Sequence, residues 1–348
     1  MSSIATETIR DAQKQPAEHL IQMALGFMNT AAIYTAAKLN IADLLADGPR
    51  PISELAAETG SNEDALYRVL RALAAAGIFA QTAPREFGLS PAAELLRSDV
   101  PGSMRDAAIW VGNSFHFHVW SELPYSVRTG KPAVEQIYGK PCFEALESLP
   151  ETDREFNDAM TNLSAGIAPA VLEAYDFSGI GTLMDVAGGH GYTLGRILDQ
   201  YPRMQGILFD MESVIEGARR RMAALNMGHR CQTVAGNFFE HIPAGADACY
   251  MQHIIHDWDD EHALKILTNC RRALEGRKNG KALVVDSVIP DGPEPHFGKW
   301  LDLEMLLMPG GRERTEREFR DLFAKAGLEI TRIVPTKVAE SLIEARVA

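Results

Sequence analysis

Several features that often reveal a protein's class are scarce in this sequence. Of its 348 residues only four are cysteines, Cys142, Cys231, Cys249 and Cys270, and none has the CxxC spacing of a metal or redox site. We therefore predict reduced thiols in a cytoplasmic protein without a metal centre. No apolar run approaches the ~20 residues that span a bilayer, and residues 1–14 are too polar for a secretory signal, so no membrane partner is expected.

Positive charge is also in short supply. The chain has 34 Lys and Arg against 47 Asp and Glu, which gives a net charge of −13. A surface of this sign argues against nucleic acid as a partner. The hydrophobic content of 46% and the charged content of 23% are typical of a globular protein, and the length is sufficient for two domains.

One stretch organises the rest of the chain, the sequence TLMDVAGGHG at residues 182–191. It predicts a short apolar strand, a glycine-rich turn and a following helix, in which the glycines allow close approach of the backbone to a ligand. Asp210 ends the next apolar run, 25 residues after Asp185. This layout is typical of a nucleoside-binding βαβ unit, with the acid placed to accept hydrogen bonds from ribose hydroxyls.

The glycine turn also indicates which nucleoside is bound. The spacing of Gly188, Gly189 and Gly191 is too short for the G-x-G-x-x-G dinucleotide fingerprint. Asp185 lies directly before them, where its carboxylate would repel a pyrophosphate but accept a hydrogen bond from an ammonium group. An amino-acid-bearing nucleoside such as S-adenosylmethionine (SAM) fits this arrangement better.

The first third of the chain predicts a helical domain with a wing. Residues 19–39 are apolar around most of a helix, which indicates packing against a second subunit or burial within the same chain. Asn62 is a candidate N-cap for a helix that ends at Gly77, and residues 78–80 and 86–89 predict two short strands. Winged helices often bind DNA. Residues 40–100, however, carry nine acids against five arginines, so DNA binding is not expected.

The last half alternates apolar strands with helices and predicts a doubly wound α/β sheet. The predicted strands are Leu183–Val186, Gly206–Phe209, Cys231–Val234, Ala248–Gln252, Ala282–Ser287 and Glu329–Val334. Ligands of such sheets bind beyond the carboxyl ends of the strands. The polar residues at those ends are Asp185, Asp210, Asn237, Gln252, His253, His256 and Asp286.

His256 is the candidate general base. It follows the strand Ala248–Gln252, and a neutral imidazole titrates in the range needed to take a proton from a phenol-like hydroxyl. A carboxylate on its other nitrogen would fix the tautomer, and Glu313 and Asp286 are the candidates for that role. A helix-capping or core histidine is the alternative interpretation.

These motifs together resemble the class I SAM-dependent O-methyltransferases of the plant caffeate/flavonoid and bacterial polyketide-tailoring type. The matching segments are DVAGGHG at 185–191, FD at 209–210, GNFF at 236–239, HDW at 256–258 and GGRERT at 310–315. The resemblance implies a Rossmann-like catalytic domain after an N-terminal, mainly helical winged-helix dimerisation domain. We predict domains at 1–100 (dimerisation), 101–178 (helical linker and substrate-pocket segment) and 179–348 (SAM-binding).

The resemblance also implies roles for individual residues. SAM would be held by Ser164, Asp185, Gly188, Gly189, Asp210, Met211, Asn237, Phe238 and Gln252. His256 would act as base, flanked by Asp286 and Glu313. The predicted substrate pocket comprises Phe115, His116, Trp120, Phe156, Met160, Trp300, Asp302, Leu303 and Met308, although ordinary core packing is the alternative for many of them. The predicted partners are a small aromatic substrate and a second copy of the chain.

Four positions depart from the pattern of many relatives. Ala187 replaces Gly, Asn237 replaces Asp, Gln252 replaces the Lys of many plant members, and Asp286 replaces their Glu. The predicted reaction is O-methylation of a small aromatic or polyketide-like metabolite. The alternatives are a non-methylating reaction that retains SAM and a SAM-sensing winged-helix regulator.

Overall fold

The computed structural model describes residues 15–348. Residues 1–14, whose polar sequence predicts no secretory signal, lie outside the described residues. The helices are α1 Pro16–Ala24, α2 Gly26–Lys38, α3 Ile41–Leu44, α4 Ile52–Thr59, α5 Glu63–Ala75, α6 Pro91–Glu94, α7 Arg105–Gly112, α8 Ser114–Ser121, α9 Leu123–Thr129, α10 Ala133–Tyr138, α11 Cys142–Glu147, α12 Pro150–Ala174, α13 Tyr192–Gln200, α14 Glu212–Ala224, α15 Asp260–Ala273, α16 Gly298–Leu307 and α17 Glu316–Lys325. The strands are β1 Arg50–Pro51, β2 Phe79–Ala83, β3 Glu86–Leu89, β4 Thr182–Val186, β5 Gln205–Asp210, β6 Cys231–Ala235, β7 Ala248–Gln252, β8 Lys281–Ile289, β9 Arg314–Thr315, β10 Leu328–Pro335 and β11 Glu340–Val347, and a 3₁₀ turn spans Ile255–Asp257.

Among the described residues, one compact unit contains residues 15–118 together with Ser148–Leu163. Its small antiparallel sheet has the strand order β1-β3-β2, which includes the two predicted wing strands. Asn62 caps α5 as predicted, because its side chain accepts a hydrogen bond from the backbone N–H of Ala65 at 3.0 Å. Leu55, Leu70 and Phe87 lie in the core that holds the helices on this sheet.

The stretch Pro16–Lys38 is more apolar than we expected. By length and composition it is sufficient to cross a membrane: an 18-residue window of it has a mean hydropathy of 1.2, and 11% of that window is buried. Length and composition alone are weak evidence for a span, since core helices of soluble proteins and signal sequences pass the same test. The stretch contains two helices, α1 and α2, that meet at Leu25.

The second unit contains Val119–Glu147 and Ser164–Ala348. Its large sheet has the order β10-β11-β8-β7-β4-β5-β6, with the short β9 paired to β8. The strands β6, β5, β4, β7 and β8 are parallel, whereas β11 and β10 are antiparallel to their neighbours. The strand order reverses between β4 and β7, and ligands of doubly wound sheets bind at such a switch point.

Alternating side chains on the strands divide the core of this unit into two faces. Met184 and Val284 contribute to one apolar layer, and their neighbours Leu183 and Val285 contribute to the other. Burial on both faces explains why these strands read as nearly continuous apolar runs. All six predicted strands are present, whereas β9 and β11 were missed by the sequence analysis.

Candidate active site

The first polar cluster lies where β4 and β5 end, and we call Asp185, Gly188, Gly189, Gly191 and Asp210 the glycine-turn cluster. Gly188 must lack a side chain because a Cβ there would lie 2.5 Å from the Asp185 carboxylate. Gly189 and Gly191 have φ of +58° and +76°, in the left-handed region that favours glycine. The turn is therefore shaped around the carboxylate that precedes it.

Asp210 closes the turn from the neighbouring strand. Its Oδ2 accepts a hydrogen bond from the backbone N–H of Gly189 at 2.8 Å, and its Oδ1 accepts one from Met211 at 2.7 Å. Each carboxylate oxygen has a second lone pair, so the group keeps the capacity to accept hydrogen bonds from hydroxyls. The prediction that Asp210 binds a ribose stays a prediction.

Asp185 is only 3% exposed, and burial disfavours its charged form. Burial, with the nearby charge of Asp210, raises the pKa of Asp185 to about 7, and the backbone N–H of Leu194 offsets part of this effect. Burial also raises the pKa of Asp210, against the two amide hydrogen bonds that it accepts. A cationic group placed between these acids would relieve both effects.

Gln252 at the end of β7 connects three elements of this unit. Its Oε1 accepts hydrogen bonds from Thr193 at 3.1 Å and Tyr250 at 2.8 Å, and its Nε2 donates to Ser164 at 3.2 Å. The structure thus brings two of the predicted cofactor residues, Ser164 and Gln252, together. Sequence analysis missed Thr193, in the first turn of a predicted helix, and Tyr250, in the middle of a predicted strand.

The remaining predicted cofactor residues line the strand ends of β5 and β6. Met211 is 49% exposed at the start of α14. The side chain of Asn237 accepts the N–H of Phe239 at 2.9 Å, which fixes the turn after β6. Phe238 packs edge-on against Phe239 at 4.7 Å. Their binding roles stay predictions.

The second polar cluster lies beyond β7 and β8, and we call His253, His256, Asp286, Glu313 and Glu340 the histidine cluster. His256 is 4% exposed, and its Nδ1 lies 2.6 Å from Oε1 of Glu313. When Nδ1 carries the proton and donates it to Glu313, Nε2 has a free lone pair. Burial lowers the pKa of His256, which favours this neutral, proton-accepting form.

The GGRERT segment holds the backbone of His256 as well as its ring. A Cβ at Gly311 would lie 2.0 Å from the carbonyl oxygen of His256, so only glycine permits this approach. The N–H of Arg312 donates to that same oxygen at 2.8 Å. Arg314, which is 1% exposed, donates to the carbonyls of Ile255 at 3.1 Å and Trp258 at 2.9 Å. The segment therefore fixes the turn on both sides of the base.

Two further carboxylates face His256. Burial raises the pKa of Asp286 and that of Asp257 to about 6 in each case, although His256 opposes both shifts. Among residues 15–348, neither oxygen of Asp286 has a hydrogen-bond partner, nor has Oε2 of Glu313. Within the same described range no three His, Cys, Asp or Glu side chains are arranged to hold a metal ion. These unpaired oxygens are available to a polar ligand or water.

His253 and Glu340 form a second histidine–carboxylate pair that sequence analysis did not predict. His253 Nε2 lies 3.2 Å from Glu340 Oε1, and the two imidazole rings of His253 and His256 stack at 5.0 Å with an interplanar angle of 20°. His253 was recognised only as a strand-end residue. Glu340 was missed because it starts β11, a strand that the sequence analysis did not recognise.

The predicted substrate residues of the first unit gather around one tryptophan. Trp110 contacts Phe115, His116 and Phe156 at ring distances of 5.9, 5.5 and 5.2 Å. Phe115 and His116 are buried, whereas Phe156 and Met160 are half-buried. The cluster itself is an observation, and its contact with substrate stays a prediction.

The other predicted substrate residues lie in the second unit. Asp302 on α16 accepts the backbone N–H of Glu313 at 2.8 Å, so it supports the residue that orients His256. The ring N–H of Trp120 donates to Glu304 of the same helix. Trp300 is 59% exposed, Met308 is buried and Leu303 is half-buried. Whether these residues contact substrate also stays a prediction.

Family models match both parts of the chain. The model of the O-methyltransferase domain matches residues 120–329, and that of the O-methyltransferase dimerisation domain matches residues 21–99. The chain belongs to the O-methyltransferase family. Among curated relatives, the phenazine O-methyltransferase PhzM of Lysobacter antibioticus is 46% identical over 327 residues, which cover 94% of this chain and 95% of that protein.

Solved structures of methyltransferases share the fold. The crystal structure of LaPhzM has a TM-score of 0.90 at 45% identity and covers 95% of this chain and 99% of that chain. The structure of NcsB1, an O-methyltransferase from neocarzinostatin biosynthesis in complex with SAM and 2-hydroxy-5-methyl naphthoic acid, has a TM-score of 0.75 at 33% identity, with coverage of 92% and 96%. The predicted family and fold class are confirmed, and the enzyme is a SAM-dependent O-methyltransferase.

The glycine-turn cluster fits the cofactor of the family. Around Gly189 there is open space, since a Cβ there would meet no atom within 4 Å. The turn therefore leaves room for a ligand beside Asp185 and Asp210. The buried acids suit the ammonium and ribose hydroxyls of SAM, for which a cation or a donor compensates their burial.

Proposed function

We propose that this enzyme methylates a hydroxyl of a small aromatic or polyketide-like metabolite, with His256 as the general base. The observation that carries the proposal is the buried His256–Glu313 pair at 2.6 Å, held at the carboxyl end of the sheet. Names of relatives support the substrate class, because PhzM of Lysobacter antibioticus is a phenazine O-methyltransferase and NcsB1 was solved with a naphthoic acid.

The residues of the chain perform binding and proton transfer. We infer that Ser164, Asp185, Gly188, Gly189, Asp210, Met211, Asn237, Phe238 and Gln252 hold SAM, which supplies an electrophilic methyl group when bound. His256 removes the hydroxyl proton at Nε2 while Nδ1–H donates to Glu313. The base adds about 10²–10⁴-fold to the rate, and the rest comes from placing the two reactants together.

Asp286 is proposed to flank the base. Its unpaired oxygens lie in the same buried cluster as His256, and its charge favours the imidazolium that forms when the proton is taken. Within the second unit, Trp120, Trp300, Leu303 and Met308 are proposed to supply apolar walls for a flat acceptor, and Asp302 a polar group beside them.

The test is transfer of an isotope-labelled methyl group from SAM to a panel of phenols, polyketides and aromatic amines. Wild type is compared with His256→Ala and with His262→Ala, an exposed histidine paired to Asp259 at 2.8 Å on the neighbouring helix. We expect His256→Ala to lose 10²-fold or more of kcat while calorimetry shows retained SAM binding. The control should keep its rate.

Other outcomes point elsewhere. Equal product formation by His256→Ala would contradict the base assignment. Tight SAM binding without methyl transfer to any acceptor would favour the alternative that the enzyme catalyses a non-methylating reaction while it retains SAM. If only the amines were labelled, the methyl acceptor would be a nitrogen atom and not a hydroxyl oxygen.

We also propose that the enzyme is a cytoplasmic homodimer that does not bind DNA. The dimerisation domain carries exposed apolar side chains on α1 and α2, among them Leu20 (70%), Met23 (57%) and Phe27 (54%), which a second copy would cover. Arg85 of the wing is paired to Glu63 at 2.8 Å and stacked over Tyr67 at 4.4 Å, which leaves its charge neutralised. Light scattering tests whether the enzyme is a homodimer, and retention on a DNA column tests whether it binds DNA.

A further inference from the structure

The backbone conformation of His253 and two contacts of its ring are more than a simple strand-end histidine would need. Its backbone φ is +55°, a left-handed conformation that is uncommon outside glycine and costs free energy. Its backbone N–H donates to Val285 at 3.0 Å, its Nε2 is 3.2 Å from Glu340, and its ring covers one face of His256. The conformation thus places the ring between a carboxylate and the base.

We propose that His253, held by Glu340, is a positioning residue that keeps the adjacent His256 in its neutral, proton-accepting form. The inference rests on the proposed role of His256 as base. A protonated imidazole stacked on His256 opposes a second positive charge at 5.0 Å, because like charges at that separation repel strongly in a buried site. Neutral His256 is then available when substrate binds.

The charge state of His253 follows from its neighbours. Burial opposes protonation, but the hydrogen bond and charge of Glu340, helped by Asp286 and Glu313, outweigh it and raise the pKa of His253 to about 9. Correspondingly, His253 outweighs the effect of burial on Glu340 and lowers the pKa of that carboxyl. The pair is therefore an ion pair at neutral pH, and its positive member lies against the base.

Several charged groups act on this stack from different elements. They are Glu340 on β11, Asp286 on β8, Asp257 on the 3₁₀ turn and Glu313 in the GGRERT segment. Asp302 on α16 and Arg314 act on Glu313, and His296 before α16 faces Glu340. The carboxylates near His256 favour its protonation, and His253 is the neighbouring group that opposes it together with burial. Without His253 the acids would act unopposed by a neighbouring charge.

The test uses His253→Asn in the full-length enzyme. Asparagine tolerates a positive φ and retains a donor for Glu340, so the backbone is preserved while the charge is removed. Histidine labelled with ¹³C at Cε1 allows NMR titration of His256, whose signal is assigned by its loss in His256→Ala. We expect the apparent pKa of His256 to rise by about one unit, with a parallel shift of the acid limb of kcat/KM.

Two further variants sharpen the test. Glu340→Gln removes the ion-pair partner, so His253 loses its charge at neutral pH and the pKa of His256 should rise by less than in His253→Asn, because a negative charge is lost as well. His262→Asn, at the exposed histidine–carboxylate pair on α15, is the matched control and should leave His256 unchanged.

The outcomes separate this inference from the proposed function. An NMR shift of His256 that the rate profile does not follow would support the role of His253 and contradict His256 as base. An unchanged His256 titration in His253→Asn would overturn the inference. A uniform loss of rate at every pH, with no shift of either curve, would show a purely structural role and overturn it as well.

Discussion

The glycine-turn cluster and the histidine cluster lie at the same edge of one sheet but are built in different ways. The glycine-turn cluster comes from two consecutive strands, and its key hydrogen bond joins Gly189 to Asp210. The histidine cluster combines the 3₁₀ turn, β8, the GGRERT segment and β11, with Glu340 87 residues from His253 in the chain. Binding groups can therefore be local in sequence, whereas a base whose pKa is adjusted by its neighbours needs support from several elements.

The largest effect is expected when the GGRERT segment no longer fits against the backbone of His256. Gly311→Ala would place a methyl group 2.0 Å from the carbonyl oxygen of His256, so the turn must move. We expect kcat/KM to fall by about 10²-fold or more while SAM affinity changes little, because the hydrogen bonds of Asp210 that hold the glycine turn join residues at the ends of β4 and β5. Steady-state kinetics and calorimetry measure the two quantities.

Gly228→Ala is the control for this variant, since a Cβ there would meet no atom within 4 Å. If Gly311→Ala weakened SAM binding as much as turnover, the two clusters would not be separable in the way proposed.

A smaller effect is expected from Asp210→Ala. The variant leaves the N–H groups of Gly189 and Met211 without their carboxylate, and each such charged hydrogen bond is worth about 1.5–3 kcal/mol. SAM affinity should fall about 10–100-fold, while the acid limb of the rate at saturating SAM keeps its position. Asp199→Ala, an exposed acid on α13, is the matched control. A displaced acid limb would mean that the clusters are coupled.

The smallest expected effect is a pH dependence of SAM affinity, which should differ from the pH dependence of the rate. Burial raises the pKa of Asp185 to about 7, and an ammonium group binds the ionised carboxylate. SAM affinity should therefore rise with pH, by up to about tenfold per pH unit below that pKa, and Asp185→Asn should abolish the dependence. Because the folded, unliganded enzyme holds this proton more tightly than the unfolded chain, its stability should fall as pH rises from the ordinary Asp pKa to about 7.

Calorimetry across this range measures the affinity. The acid limb of the rate should occur at a lower pH than the change in SAM affinity, since burial lowers the pKa of His256. If SAM affinity and the rate changed over the same pH range, the glycine-turn cluster and the histidine cluster would not titrate separately.

The sequence predicted much of the catalytic unit because its signals are local. A strand, a glycine turn and a helix occupy adjacent residues, so Asp185, Gly188 and Gly189 were recognised together, and Asn62 was recognised as the cap of the helix that directly follows it. Glu313 and Asp286 were both candidates to orient His256, and the structure places Glu313 2.6 Å from its Nδ1, while the catalytic role stays a prediction.

Other members could not be read from the sequence. Arg314 was noted only as a letter of the GGRERT segment, but it is buried against two carbonyl groups. Thr193 and Tyr250 gained a role only through Gln252. Glu340 became part of the site because β11 runs antiparallel to β8, which brings its first residue to the edge where the parallel strands end.

The sequence by itself therefore determined the family, the βαβ unit and the residue types of the chemistry, because hydrophobic period and glycine placement act over a few residues. Only the tertiary structure decided which buried charges face one another. The protonation of His253, His256 and Glu313 depends on distances set by strand order and burial, and these are properties of the folded sheet rather than of any short segment.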